Sequence, residues 1–129
     1  MDRIGIAMSA LCLAALAAPV QAGTLLCAVV DAHQCQPGAA CTEVDLAEAN
    51  FPRFIEVDLA GQRIRGTRPD GSEASSEIRA SFRQQDRLML HGVEGGRSWS
   101  LLLADDGRFV LTAADVEAGY SLFGECIAR

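Results

Sequence analysis

Apolar and polar residues alternate along most of the chain, and residues that favour turns interrupt the alternation every ~8–12 positions. In the segment 53–59, for example, Val57 shares a face with its apolar neighbours two positions away, whereas Glu56 and Asp58 occupy the other face. This pattern is typical of short antiparallel β-strands and predicts an all-β fold. We expect strands at residues 24–31, 53–59, 62–68, 75–83, 86–93, 97–104, 108–113 and 120–127.

Glycine-containing turns predict which strands pair, and in which register. Around Ala60-Gly61, the register that pairs Val57 with Ile64 also places residues of opposite charge across from each other. The apolar and the charged residues therefore predict the same register for these two strands. Gly95-Gly96 suits a type I′ turn, and Asp105-Asp106-Gly107 suits a three-residue loop with glycine in the left-handed conformation. These last two turns connect the strands 86–93, 97–104 and 108–113, and a further turn at 115–119 leads to the strand 120–127. The four strands are therefore expected to form a meander.

Two side chains illustrate the packing that this register implies. Trp99 falls opposite Gly92, so that its indole covers the position where a side chain is missing. We interpret Trp99 as a packing residue, with stacking against a ligand as the alternative. Within the predicted strand 75–83, alternation places Ile78, Ala80 and Phe82 on the inner face.

The N-terminus predicts an export signal. Arg3 precedes the apolar segment 4–18, and Val20-Gln21-Ala22 has the small residues of a signal-peptidase site. The apolar segment has about 15 residues, fewer than the ~20 of a membrane-spanning helix. We expect a signal peptide at 1–22 and a single β domain at 23–129, periplasmic or secreted, without an integral membrane segment after cleavage. An uncleaved anchor is the alternative.

Cleavage would leave four of the five cysteines, Cys27, Cys35, Cys41 and Cys126. An even number in a small exported chain predicts two disulfides. Cys35 and Cys41 flank a turn, which favours a 35–41 bridge and hence a 27–126 bridge. A metal site formed by His33, Cys35 and Cys41 is an alternative, although a paired C-x2-C motif is absent from the sequence.

A bridge between Cys27 and Cys126 would hold the first and last strands together. The meander would then form a small eight-stranded barrel or a strongly curled sheet. Residues 32–52 are long for a loop, and we expect them to contain the small disulfide and a short helix capped by Thr42.

Charge and motifs exclude several functions. The formal net charge of −6 argues against binding to nucleic acid. The sequence has no nucleophile-elbow, zinc-protease or phosphate-loop motif. We therefore expect a protein that is not an enzyme and uses no cofactor or metal.

The remaining expectation is a binding or accessory protein. Met89, His91 and Leu102 fall on the outer face of their strands and, with Trp99, form the candidate interaction surface. An acidic chain suits a basic partner, for instance a cell-wall hydrolase such as a lysozyme, which it would inhibit. The alternative is a lipocalin-like carrier of a small lipophilic ligand.

Several segments carry a resemblance to known proteins: Cys27…Cys35-x5-Cys41, Asn50-Phe51-Pro52-Arg53-Phe54, Val57-Asp58, Gly96-Arg97-Ser98-Trp99-Ser100 and Phe123-Gly124-x-Cys126. They resemble small exported β-proteins of proteobacteria, and the likeness covers most of residues 23–129. It implies an exported β fold and brings no catalytic residues. A looser likeness to the periplasmic C-type lysozyme inhibitors, which are also small disulfide-linked β-barrels, implies an inhibitory function.

Overall fold

The computed structural model describes residues 23–129, and the predicted signal peptide at 1–22 lies outside the described residues. The described part of the chain is all-β and contains no helix that could cross a membrane. Its strands are β1 (Thr24–Cys35), β2 (Thr42–Glu43), β3 (Phe54–Asp58), β4 (Arg63–Thr67), β5 (Glu73–Glu77), β6 (Ala80–Gln84), β7 (Arg87–Glu94), β8 (Arg97–Ala104), β9 (Arg108–Ala114) and β10 (Gly119–Ala128).

One antiparallel sheet contains these strands in the order β5-β4-β3-β1-β10-β9-β8-β7-β6, with the short β2 paired to β1. Strands β5 and β6 are consecutive in the chain but lie at opposite edges of the sheet. The corner between them bonds to the strands next to each edge, because the Ile78 N–H donates to Gln62 O, just before β4, and the Arg79 N–H donates to His91 O of β7, each at 2.8 Å. The sheet therefore curls into a half-barrel. This confirms the prediction of a strongly curled antiparallel sheet.

The predicted strand pairings are confirmed. Val57 lies opposite Ile64 in the ladder between β3 and β4, and Gly92 lies opposite Trp99 between β7 and β8. The reversal Gly95-Gly96 uses φ angles of 56° and 80°, and the reversal at Gly107 uses 95°. These are left-handed conformations that glycine adopts without steric cost.

Both predicted disulfides are present. Cys27 and Cys126 lie directly opposite each other on β1 and β10 and are bonded, so that the first and last strands are neighbours in the sheet. Cys35 and Cys41 close the short loop after β1. The sulfur atoms of the alternative metal site are therefore held in a disulfide.

The core lies on the inner, concave face of the sheet. Alternate residues of each strand point to this face and interlock there, as strand geometry requires. The largest fully buried side chains are those of Leu90, Leu101, Val29, Val57 and Cys27.

The prediction for residues 75–83 is wrong in two respects. The segment forms two strands, β5 and β6, and the alternation shifts by one position at the corner Ile78-Arg79. Ile78 is buried, but Ser81 rather than Ala80 or Phe82 continues the inner face, because Ser81 lies opposite the buried Leu90. The Phe82 side chain consequently points outwards and is 57% exposed.

The predicted short helix within 32–52 does not form. Thr42 belongs to β2, where its backbone is extended and pairs with Gln34 of β1, so it cannot cap a helix. A single turn follows at residues 46–50, and Asp45 caps it by accepting hydrogen bonds from the N–H groups of Ala47 and Glu48 at 2.8 and 3.2 Å.

Candidate binding surfaces

An apolar row crosses the outer, convex face of the sheet. Cross-strand pairing aligns one side chain from each of five neighbouring strands, and a β-bulge in β1 adds a sixth at the end of the row. We call this set the outer apolar row: Phe82, Met89, Leu102, Val110, Phe123 and Val30. Because neighbouring strands lie ~4.8 Å apart, the row is about 24 Å long.

The outer apolar row is accessible to a partner. Val30 is 71% exposed, and Leu102 and Phe123 are 39% and 40% exposed. A groove of about 400 Å³ runs along these three residues and Val110. Contiguous exposed apolar patches on monomeric proteins commonly mark interaction sites, whereas single exposed apolar residues carry no such meaning.

Polar residues flank the outer apolar row on both sides. On one side the cross-strand pairs form a second row that begins and ends with histidine: His91, Ser100, Thr112, Ser121 and His33. The rings of His91 and His33 pack edge-to-face against Phe82 and Phe123, with centroids 5.8 and 6.3 Å apart. On the other side, Arg87, Arg108 and Glu125 line the groove. An apolar centre with a polar rim is the usual arrangement of a protein interface.

The structure brings together three of the four residues proposed as an interaction surface. Met89, His91 and Leu102 are neighbours on the outer face, whereas Trp99 is buried on the inner face and contributes nothing to that surface. Sequence reasoning missed the outward Phe82, because it placed that side chain inside. It also missed Val110 and Phe123, although both could be found from the sequence. The turn at Gly107 places Val110 opposite Leu102, and alternation along the last strand places Phe123 on the outer face.

A cleft opens on the inner face, at the end of the half-barrel near the Gly95-Gly96 turn. It has a volume of about 320 Å³. We call it the inner cleft. Its apolar walls come from Ile55, Ile64, Trp99, Leu111 and Ala113, and Asn50, Arg65 and Ser75 also line it. The exposed Glu94 and Arg97 and the half-buried Arg68 stand at its mouth.

Hydrogen bonds fix the indole of Trp99 in the wall of this cleft. Its Nε1–H donates to Ser76 Oγ at 2.8 Å, and the Ser76 hydroxyl donates in turn to the backbone oxygen of Val93 at 3.4 Å. Ser76 is buried, and both polar groups are satisfied by the protein itself. The wall therefore presents apolar surface to the cleft.

Arg97 is positioned at the mouth by two contacts. Its Nε–H donates to Asp115 Oδ2 at 3.0 Å, and its guanidinium carbon lies 5.3 Å from the centre of the Tyr120 ring. The pKa of Asp115 is lowered mainly by the backbone N–H groups of Glu117 and Ala118, and the Arg97 side chain adds to this effect. Asp115 therefore stays ionised and holds the guanidinium in place.

The perturbed carboxyl groups lie in turns, where local hydrogen bonds lower their pKa values. The pKa of Asp70 is lowered to about 2, first by the Ser72 hydroxyl and backbone N–H and then by the Asn50 amide. The pKa of Asp106 is lowered by hydrogen bonds from Arg108, two residues further along. Among residues 23–129, no group of three or more His, Cys, Asp and Glu side chains has the arrangement of a metal site.

Comparison with known proteins assigns no family to the chain. No family model, no curated protein and no solved structure matches it. The likenesses expected from the sequence therefore remain predictions.

Proposed function

We propose that this chain is a non-enzymatic binding protein of the periplasm that associates with a protein partner through the outer apolar row. The observation that carries the proposal is the row itself. Six apolar side chains lie side by side across the outer face of the sheet: Phe82, Leu102, Phe123 and Val30 are exposed, and Met89 and Val110 are half-buried between them. The interlocked inner face shows that the chain buries apolar side chains where its fold allows, so a solvent-facing row of this length favours an interface.

Two observations support the location. The two disulfides are consistent with a compartment outside the cytoplasm, since thiols in the cytoplasm are kept reduced. The sequence of residues 1–22 has the apolar segment and the small-residue cleavage motif of an export signal. Export through the inner membrane followed by cleavage after Ala22 accounts for both.

The dimensions of the outer face suit a modest interface. A standard interface buries ~800 Å² on each partner, more than the row alone offers. The row would supply the desolvated centre, and the flanking histidine, serine, threonine and arginine side chains would supply the rim. Because the chain has a net charge of −6, a basic partner would be attracted at long range. A basic cell-wall hydrolase of the lysozyme class meets this requirement.

Direct titration of the exported protein with a purified C-type lysozyme tests the proposal. We expect binding and inhibition that weaken as ionic strength rises, because the long-range attraction is screened by salt. Leu102→Asp should weaken binding at least ~10-fold, since it places a charge at the centre of the row.

The matched control is Val116→Asp, because Val116 is 97% exposed and lies outside the outer apolar row. It should bind as the unsubstituted protein does. If unsubstituted protein neither binds nor inhibits the enzyme, the hydrolase is not the partner. If Leu102→Asp and Val116→Asp bind equally well, the outer apolar row is not the surface.

A further inference from the structure

The inner cleft exists because short side chains occupy inner-face positions at one end of the half-barrel. Further along this face the large side chains of Leu90 and Leu101 are fully buried. At the cleft, the inner face carries Ala74, Ser76 and Ala113 instead. The cleft volume of about 320 Å³ falls at the lower end of the range for small-molecule sites and equals the volume of about ten water molecules.

The walls of the cleft suit an apolar group. Ile64 and Leu111 supply aliphatic surface, and Trp99 supplies an aromatic wall whose single N–H is already bonded to Ser76. Water beside these three side chains finds no free hydrogen-bonding group, although Asn50, Arg65 and Ser75 line other parts of the cleft. Displacement of that water by an apolar ligand is therefore favourable.

The mouth of the cleft suits an anion. Two guanidinium groups, those of Arg97 and Arg68, stand there with one carboxylate, that of Glu94. Within the described part of the chain, Arg97 bonds to Asp115 through Nε alone, so its two terminal nitrogens have no protein acceptor. Arg68 donates to neutral oxygens only and forms no ion pair among the described residues. Guanidinium groups bind carboxylates through paired N–H donors.

We propose that the inner cleft binds a small amphiphilic anion, with its apolar body against Trp99 and its anionic group at Arg97 and Arg68. The volume limits the body to a medium-length aliphatic chain or a single ring system. The site lies on the face opposite to the outer apolar row, so the two binding activities are structurally separate. The proposal does not depend on the proposed protein partner.

Fluorescence of Trp99 reports directly on the cleft, because it is the only tryptophan of the chain. The exported protein would be titrated with octanoate and, in parallel, with octanol as the uncharged analogue. We expect a saturable change with both and an affinity for octanoate at least ~10-fold higher, which is the discrimination that one charge-assisted hydrogen bond can supply.

Two sets of variants test the location. Ala113→Leu fills the cleft and should abolish binding of both compounds, whereas Ala114→Leu, at the exposed neighbouring position, should not. Ala74→Leu, on the edge strand β5, fills the cleft from another side and should have the same effect if Ala113→Leu impairs folding. Arg68→Gln removes no ion pair and should lower the preference for octanoate over octanol without affecting octanol binding.

Three results would overturn the proposal. The first is the absence of a saturable change with either compound. The second is unaltered octanoate affinity in folded Ala113→Leu or Ala74→Leu protein. The third is an equal affinity for octanoate and octanol. Leu102→Asp should bind octanoate as the unsubstituted protein does. Octanoate binding therefore tests the inner cleft whether or not the outer apolar row proves to be an interface.

Discussion

Removal of the Cys27–Cys126 disulfide should destabilise the fold about twice as much as removal of the Cys35–Cys41 disulfide. The two bonds differ mainly in the length of chain that they close, with sequence separations of 99 and 6 residues. In the chain-entropy description, a disulfide stabilises the fold by restricting the unfolded chain, and the effect grows with the logarithm of loop length.

The magnitudes follow from these separations. A closed loop of about 100 residues corresponds to ~4.7 kcal/mol of stabilisation at 25 °C, and one of about seven residues to ~2.3 kcal/mol. A small domain has a total free energy of unfolding of ~5–15 kcal/mol, so the longer bridge represents a large part of it. Cys27 is also fully buried, and its replacement by alanine adds a packing loss that a more exposed position would not.

Urea unfolding followed by Trp99 fluorescence would measure both effects in the double variants Cys27→Ala/Cys126→Ala and Cys35→Ala/Cys41→Ala. We expect losses of about 5 and about 2 kcal/mol in the free energy of unfolding. Equal losses, or a larger loss for the short bridge, would refute the loop-closure reasoning. The stabilisation would then come from contacts around the bonds in the folded state.

Three further predictions concern single side chains. Gly92→Ala should lower the free energy of unfolding by about 1–3 kcal/mol, because a Cβ there overlaps the indole of Trp99, whereas Gly119→Ala, whose added Cβ meets open space, should lower it by much less in the same urea assay. Trp99→Phe should cost about 1–3 kcal/mol by circular dichroism, since buried Ser76 loses its hydrogen-bond donor; an unchanged midpoint would contradict the role of that bond. The pKa of Asp70 is lowered from 3.8 to about 2, so its ionised form stabilises the fold; this stabilisation is complete above pH 3.8 and is lost as the pH falls through about 2. Asp70→Asn should therefore make the free energy of unfolding depend less on pH in that window, and an unchanged pH dependence would contradict this prediction.

Local sequence was sufficient to predict the strand pairings around the turns. Val57 opposite Ile64 and Gly92 opposite Trp99 follow from turn length, because a short reversal permits a single alignment of its two flanking strands. Alternation then determined which side chains share a face. On that basis the sequence predicts that Met89, His91 and Leu102 are neighbours on the outer face, and the structure confirms this.

Long-range pairing explains what the sequence did not predict. Thr42 resembles a helix cap, but the backbone of β1 extends far enough to pair with it as a strand. Val30 joins the outer apolar row because a bulge in β1, between Val29 and Asp31, places it beside Phe123 of β10. The residues of neither strand specify a bulge at that position by themselves.

The corner Ile78-Arg79 accounts for the error about Phe82 and also for much of the proposed function. Unbroken alternation through the corner would place Phe82 inside, where Ser81 faces Leu90, and would remove one end of the outer apolar row. The same corner connects the two edge strands β5 and β6, and its N–H groups bond to Gln62 on one side and His91 on the other. This closure brings β5 close enough to β8 for Ser76 to accept the Trp99 hydrogen bond that forms the cleft wall. Two residues thus set which apolar side chains face a partner and how far the inner cleft is enclosed.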